Sequence, residues 1–175
     1  MTDQNKRVLI FTGDGKGKTT AALGIVLRAV GHGMSTFLLQ FMKNSDSGEM
    51  KVLSTLPNLT VVRHGLGFVP KTGSARFEKH REKGQEALAF AEEAIKSEKY
   101  EVIVLDEVLG SITAEIIDES AVLALIQQLP PNTTLVLTGR DASKEMIAHA
   151  DTVTEMKMVK HGYEVGIQAQ KGVEF

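Results

Sequence analysis

A glycine- and lysine-rich segment near the start of the chain carries the residue types that bind phosphate. Residues 12–20 read TGDGKGKTT, after the apolar run 8–11 and before the helix-like run 21–27. A strand, a glycine-rich turn and a helix with Gly-Lys-Thr in its first turn form a P-loop, whose backbone N–H groups point at phosphate oxygens. We therefore expect Lys18 to reach the phosphates and the Thr19 hydroxyl to bind Mg²⁺. A chance glycine–lysine loop before a helix is the alternative.

The segment departs from the full P-loop pattern at one position. That pattern begins with a glycine, and Thr12 stands there. A threonine has fewer allowed φ/ψ values than a glycine at this position, where the chain leaves the strand. The glycines that let the backbone approach a phosphate are still present. The residues that we expect to contact the nucleotide are Gly13, Asp14, Gly15, Lys16, Gly17, Lys18, Thr19 and Thr20.

Two carboxylates follow another apolar run. Residues 102–105 read VIVL and lead directly into Asp106 and Glu107. In a P-loop site an acidic residue at a strand end lies beside the metal, so we expect Asp106 to orient the Mg²⁺ shell. Glu107 can ligate the metal, polarise a water or bind a ribose, and a solvated acidic pair is the alternative. With Thr19, these two residues form the predicted metal site.

Two arginines are further candidates for nucleotide binding. Arg140 follows Thr138-Gly139 at the end of an apolar run, where it can face the phosphates or pair with a surface carboxylate. Both readings stay open. Arg28 lies within an otherwise apolar helical run, and it can turn toward the nucleotide or cap the sheet edge. The residues alone favour the structural role for Arg28.

The elements that must position these side chains alternate along the chain. Several of the apolar runs are continuous, as expected of strands buried on both faces of a parallel sheet. Alternating strands and helices predict a three-layer α/β fold of the P-loop NTPase type, with a mostly parallel sheet and residues 1–175 in one domain. The predicted strands are 8–12, 36–41, 60–64, 102–106, 135–138 and 152–156, and the predicted helices are 75–96, 119–129 and 142–150, the last capped by Asp141.

Two segments resist assignment to helix or strand. Residues 43–49 are polar, and residues 65–73 contain glycines and a proline. Both follow predicted strands, so in a parallel sheet they lie at the carboxyl edge, where ligands bind. They are candidates for holding a second substrate, and plain connectors are an equally good interpretation.

Composition excludes several classes of protein. The chain has 175 residues, 42% hydrophobic residues, a net charge of -2 and no cysteine. These values fit a globular domain without disulfides or thiolate zinc sites, and the charge argues against non-specific nucleic-acid binding. No apolar run approaches the length of a membrane span, and the polar N-terminus lacks the apolar region of a signal peptide. We expect a cytoplasmic protein that binds neither nucleic acid nor membrane.

Taken together, these motifs resemble the P-loop-type ATP:corrinoid adenosyltransferases of bacteria, which act on cob(I)alamin or cob(I)yrinic acid a,c-diamide. The resemblance extends from Val8 to Phe175, and Thr12 in place of glycine is that family's own form. The segments that carry it are 11–22, 28–33, 40–41 with Lys43, 104–107, 138–140, 150–156, 160–161 and 166–175.

The resemblance implies an activity and its partners. The family transfers the 5′-deoxyadenosyl group of ATP to the Co(I) of a corrinoid and releases intact tripolyphosphate, in adenosylcobalamin biosynthesis or salvage. It uses Mg²⁺ or Mn²⁺, its members look like homodimers, and a flavodoxin-like reductant supplies electrons. ATP binds in a reversed direction relative to other P-loop proteins.

The resemblance also implies roles for individual residues. The phosphate loop, Lys18 above all, holds the phosphates. Thr19 and Glu107 lie at the metal, and Asp14, Arg28 and Glu107 help fix the nucleoside. Phe68 matches one of two loop aromatics that crowd the lower face of the corrin, whereas Pro70 stands where relatives carry the second.

Two other classes of function compete on the residues alone. A P-loop ATPase would use Glu107 to activate a water and Arg140 as a phosphate sensor. A nucleotide-binding regulatory module would have no turnover. Tripolyphosphate as product indicates adenosyl transfer, ADP with phosphate indicates hydrolysis, and neither product indicates a sensor. The segment 166–175 favours adenosyl transfer.

Overall fold

A six-stranded sheet lies at the centre of the computed structural model, which describes residues 6–44 and 47–174. Every strand pairing in these residues is parallel, so the predicted α/β fold with a parallel sheet is confirmed. The strands are β1 Arg7–Thr12, β2 Thr36–Gln40, β3 Leu59–Arg63, β4 Val102–Asp106, β5 Thr134–Thr138 and β6 Thr152–Glu155. Their order across the sheet is β3-β2-β4-β5-β1-β6.

Helices cover both faces of this sheet. Strand β4 shows why, because Ile103 and Leu105 enter one apolar cluster while Val102 and Val104 enter the other. The helices are α1 Lys18–Gly31, α2 Gly48–Leu53, α3 Ala75–Lys96, α4 Val108–Thr113, α5 Glu119–Gln127 and α6 Lys144–Ala148, followed by a 3₁₀ turn, Gly162–Val165. The first cluster includes residues of α3 and α5, and the second includes residues of α1 and α2.

Helix α3 has the predicted bounds, and helix α6 differs from its prediction. Helix α3 starts after Ser74, whose hydroxyl accepts a hydrogen bond from the Phe77 N–H. The prediction of a helix over 142–150 capped by Asp141 was wrong in its start and cap. The Ser143 hydroxyl caps α6, because it accepts a hydrogen bond from the Met146 N–H. Asp141 has a φ of 55°, which lies outside the right-handed helical region. The helix predicted over 119–129 ends at Gln127.

Two short helices were not predicted. Helix α2 begins at Gly48, inside the polar segment 43–49, of which Ser45 and Asp46 lie outside the described residues. Helix α4 begins directly after Glu107, so the chain turns from strand to helix within one residue. Both helices start at the carboxyl edge of the sheet.

The carboxyl edge collects the polar strand ends. Strands β1, β2, β4 and β5 end in Thr12, Gln40, Asp106 and Thr138, all of which are buried. Since parallel strands end at the same edge, four polar side chains are brought under the phosphate loop. Within the described part of the chain, no helix is both long and apolar enough to cross a membrane.

Candidate active site

The phosphate loop lies between β1 and α1, where the sequence predicted it. Gly13 and Gly17 have φ values of 99° and 115°, which a glycine adopts without a Cβ penalty. The Lys18 side chain is 8% exposed, and its Nζ donates to the carbonyl oxygens of Gly13 and Gly15 at 2.7 Å each. Burial lowers the pKa of Lys18, while the carboxylate of Glu107 opposes that change. A buried lysine lying across the loop is placed to donate to an anion bound there.

Two glycines of the loop are required by a different neighbour from the one we expected. A Cβ at Gly13 or at Gly15 would lie 2.5 Å from the carbonyl oxygen of Met156, just after β6. The Gly15 N–H donates to that same oxygen at 2.6 Å, and the Met156 N–H donates to the Thr12 oxygen at 2.8 Å. These glycines therefore let the chain after β6 pack directly on the loop.

Asp106 is the best-connected side chain of the site. It is fully buried, and its Oδ1 accepts from the hydroxyls of Thr19 at 2.9 Å and Thr138 at 2.8 Å. Its Oδ2 accepts from the Gln40 amide at 2.9 Å and forms an ion pair with Lys43 at 3.3 Å. A buried carboxylate is stable only when it is paired and hydrogen-bonded in this way. The network fixes the Thr19 hydroxyl at the start of α1.

Glu107 has a different environment from its neighbour. Its φ is 62°, in the left-handed region, and its N–H donates to the Thr138 hydroxyl at 2.8 Å. This turn places the Glu107 carboxylate close to Gly110. A Cβ added at Gly110 would lie 2.9 Å from Glu107 Oε2. Burial raises the pKa of Glu107, and repulsion from Asp106 raises it further. A cation beside the two carboxylates would relieve both effects.

The donor set fits a hard divalent cation. The hydroxyl of Thr19 and the carboxylates of Asp106 and Glu107 are all oxygen ligands, which Mg²⁺ and Mn²⁺ prefer. The described residues contain no cluster of three or more acidic or histidine side chains that could hold a metal alone. This agrees with Mg²⁺ sites that use one or two carboxylates and complete their shell with substrate phosphates and water.

A cleft of about 1170 Å³ opens beside the loop. Its floor is the phosphate loop with Lys43, Glu107 and Arg140, and it continues along α1 and α2. The chain after β6 forms another wall. The apolar side chains on these walls are Leu23, Leu27, Val52, Met158, Tyr163 and Val173.

Four predicted site residues do not line this cleft, namely Gly13, Arg28, Phe68 and the buried Asp106. Arg28 is exposed in the C-terminal half of α1 and does not line it. Phe68 is 89% exposed in the loop that follows β3, at the same edge of the sheet. That loop is held to the end of β2, because the Gly67 N–H donates to the Met42 oxygen at 3.0 Å. Their roles remain predictions.

Sequence reasoning missed several residues of the site. Gln40 and Thr138 also end apolar strands, but from that signal we predicted only Asp106, Glu107 and Arg140 as site residues. Lys43 pairs with Asp106, whereas the sequence alone placed it only in the unassigned polar segment 43–49 and among the residues of the family resemblance. The residues after β6 gave no local sign that they would cover the phosphate loop.

Comparison with known proteins gives a consistent result. The model of the ATP:corrinoid adenosyltransferase family BtuR/CobO/CobP matches residues 4–175. A corrinoid adenosyltransferase of Pseudomonas aeruginosa is 39% identical over 99% of this chain and 85% of its own length. The corrinoid adenosyltransferase of Sinorhizobium is 36% identical over 99% and 82%, and that of Escherichia coli is 31% identical over 99% and 87%. These matches span nearly the whole chain.

A solved structure supports the fold alone. A KaiC-like protein of Pyrococcus horikoshii superimposes with a TM-score of 0.59 at 16% identity, covering 91% of this chain and 75% of that one.

Proposed function

The chain belongs to the ATP:corrinoid adenosyltransferase family, and we propose that it transfers the 5′-deoxyadenosyl group of ATP to the Co(I) of a corrinoid and releases tripolyphosphate. The observation that carries the proposal is the convergence of Lys18, Thr19, Glu107 and Arg140 on one cleft beside a P-loop. The family match supplies the reaction, and the cleft supplies a place for it.

The reaction needs no nucleophile from the protein. The electron pair of Co(I) forms the bond to C5′ of ATP while the C5′–O5′ bond breaks. Its electrons leave on the tripolyphosphate oxygen, and the cobalt ends as Co(III). No proton must be moved, so the tasks of the protein are to position two substrates and to stabilise the charge that collects on the leaving group.

The residues of the phosphate loop suit the second task. Lys18 can exchange its two backbone carbonyl partners for phosphate oxygens with a small movement of Nζ. Arg140 is exposed at the cleft and supplies a second cation. Mg²⁺ or Mn²⁺, when bound by Thr19, Asp106 and Glu107, would neutralise further charge on the tripolyphosphate.

Product analysis tests this proposal against hydrolysis. Glu107 lines the same cleft, and a carboxylate there can polarise a water, which favours an ATPase as the second candidate. We expect chemically reduced corrinoid, ATP and Mg²⁺ to give tripolyphosphate and adenosylated corrinoid in equal amounts. ADP and phosphate that form without corrinoid would instead support the ATPase, and no product at all would support a nucleotide sensor.

Phe68 is our candidate for the corrinoid side of the site. A ring that is 89% exposed, on a loop held to β2, has no packing role in the described residues that would account for it. We expect Phe68→Ala to slow the reaction more when the corrinoid enters as Co(II) with a biological reductant than when Co(I) is made beforehand. ATP, metal and protein are the same in both assays. Equal losses would make Phe68 a general packing residue.

We extend the proposal to the assembly and the electron supply. Family resemblance supports a cytoplasmic homodimer that receives electrons from a flavodoxin-like reductant. Sedimentation of the purified protein tests the dimer, and reduction of bound Co(II) by flavodoxin tests the reductant.

A further inference from the structure

The chain after β6 returns to the phosphate loop at three separate points. We name residues 156–174 the C-terminal segment. Its first contact is the pair of backbone hydrogen bonds between Met156 and the loop. Its second is the Met158 N–H, which donates to Asp14 Oδ1 at 3.2 Å. Its third is an ion pair between Glu174 and Lys16. Successive residues of one loop, 14 to 16, therefore hold both ends of the segment.

The two lysines of the loop have different partners. Lys18 is buried and spans the loop, whereas the Lys16 side chain is 45% exposed and leaves the loop toward the C-terminal segment. Its Nζ donates to the Val173 oxygen at 3.1 Å as well as to the Glu174 carboxylate. We had predicted that Lys16 contacts the nucleotide. In this structure its hydrogen-bonding partners are in the C-terminal segment.

Glu174 is itself fixed by its own backbone. Its Oε2 accepts from the Gln170 N–H at 2.7 Å, and its N–H donates to the Gln170 oxygen at 2.9 Å. Hydrogen bonds from Lys16 and from the Gln170 N–H hold the pKa of Glu174 below its usual range. The carboxylate is therefore presented to Lys16 by a folded turn rather than by a flexible side chain.

The segment between these contacts closes one side of the cleft. Tyr163 is 79% exposed and Val173 is 60% exposed, and both line the cleft, as do residues of α1 and α2. Beyond Met158, the hydrogen bonds between the segment and the phosphate loop among the described residues are those that Lys16 donates to the Val173 oxygen and to the Glu174 carboxylate, and only the second is an ion pair.

We propose that Glu174 is a positioning residue for ATP, which acts through Lys16 to hold the C-terminal segment against the phosphate loop. This inference rests on the proposed function, because it takes the ligand of the loop to be ATP. A loop held in one conformation loses less entropy when the phosphates bind, so its affinity is higher. Loss of the contact should weaken ATP binding while the chemistry at C5′ is unchanged.

The test is Glu174→Gln, with ATP and Mg²⁺ as the probe. We expect the Kd for ATP, measured by calorimetry, to rise about two- to fivefold, as is typical for one exposed ion pair. Amide exchange in residues 157–174 should become faster, and kcat at saturating ATP should stay within about twofold. Glu174→Asp keeps the charge, so it should restore part of the affinity.

A double-mutant cycle shows whether the effect passes through Lys16. Lys16→Gln should itself weaken ATP binding, and adding Glu174→Gln to it should cause little further loss. Glu92→Gln is the matched control, because Glu92 forms an exposed ion pair with Lys96 at 2.5 Å on α3, away from the cleft. It should change neither ATP affinity nor exchange in the C-terminal segment.

Three results would overturn the inference. Wild-type ATP affinity in Glu174→Gln would make the contact irrelevant to ATP. Tighter binding would mean that Glu174 competes with the phosphates for Lys16. If Glu174→Gln weakens ATP binding equally in wild type and in Lys16→Gln, Glu174 does not act through Lys16. Binding and exchange require no turnover, so failure of the proposed adenosyl transfer would be recognised separately, by the absence of tripolyphosphate.

Discussion

The two sides of the cleft are held by different kinds of interaction. On the sheet side, Asp106 is completely buried and accepts hydrogen bonds from side chains of three elements. On the other side, the C-terminal segment is exposed along most of its length, and its far end is held by the Lys16–Glu174 pair. Buried polar networks are strong and costly to break, whereas exposed pairs contribute little. The sheet side is therefore set by folding, and the segment side can adjust to a ligand.

This difference predicts the largest effect at Lys18. Removing a cation that contacts a leaving group costs about 3–4 kcal/mol in the transition state, or a factor of about 100 to 1,000 in kcat. We expect Lys18→Ala to lose at least that much activity. Burial of the charged lysine already opposes folding, so its loss should change the free energy of unfolding little. Urea denaturation and turnover with Co(I) measure the two quantities. Near-normal adenosylation would exclude this loop as the ATP site.

Asp106→Asn should affect both activity and stability. An amide in place of the carboxylate presents a donor group to the Gln40 amide or to the hydroxyls, and it leaves Lys43 without its charge partner. We expect a destabilisation of about 2–4 kcal/mol, since a buried charge network loses one member. The corresponding amide substitution at the neighbouring residue, Glu107→Gln, serves as the control for stability. A change below about 0.5 kcal/mol would mean that the network is not fixed by folding.

Glu107→Gln should affect activity without a large loss of stability. Burial and repulsion already disfavour its charged form, so removal of the charge relieves the folded protein. A neutral amide is a poorer ligand for Mg²⁺, so we expect about a tenfold loss in turnover and a weaker dependence on metal concentration. Metal titrations of wild type and variant provide the measurement. Unchanged rate and titration would leave Glu107 as a strand-end carboxylate only.

Much of the sheet side could be predicted from the sequence, because its signals are local. Continuous apolar runs marked the strands, and polar residues directly after them marked the edge where Lys18, Asp106 and Glu107 meet. The segment side could not be predicted in the same way. Contacts such as that of Gly15 with Met156 join residues far apart in the chain, and no short pattern encodes them. The prediction that Asp141 caps α6 was wrong because its backbone has a positive φ, a conformation that the residue type alone does not reveal.

A second exposed contact lies beside the candidate corrinoid loop and extends the comparison. The His64 ring donates to Glu86 on α3 at 2.6 Å, and Lys83 donates to the same carboxylate at 2.5 Å. His64 is also in edge contact with the Phe90 ring at 5.1 Å. The backbone N–H of His64 donates to the backbone oxygen of Gln40 at the end of β2. His64 therefore connects the loop of Phe68 to both the sheet and α3.

Glu86→Gln should have the smallest effect, and its pH dependence identifies it. Lys83, followed by His64, lowers the pKa of Glu86 in the folded protein, so the stabilisation is complete above the unfolded value of about 4.3. It is lost as the pH falls through the lower folded pKa. The stabilities of wild type and variant should therefore differ slightly near pH 6 and converge toward about pH 3, as measured by urea denaturation. Faster amide exchange at residues 64–67 in Glu86→Gln, but not in Glu92→Gln, would connect the contact to the loop. If the difference in stability between wild type and Glu86→Gln persists at low pH, Glu86 acts through packing rather than through its charge. The comparison between a fixed sheet side and adjustable exposed contacts would then not extend to this loop.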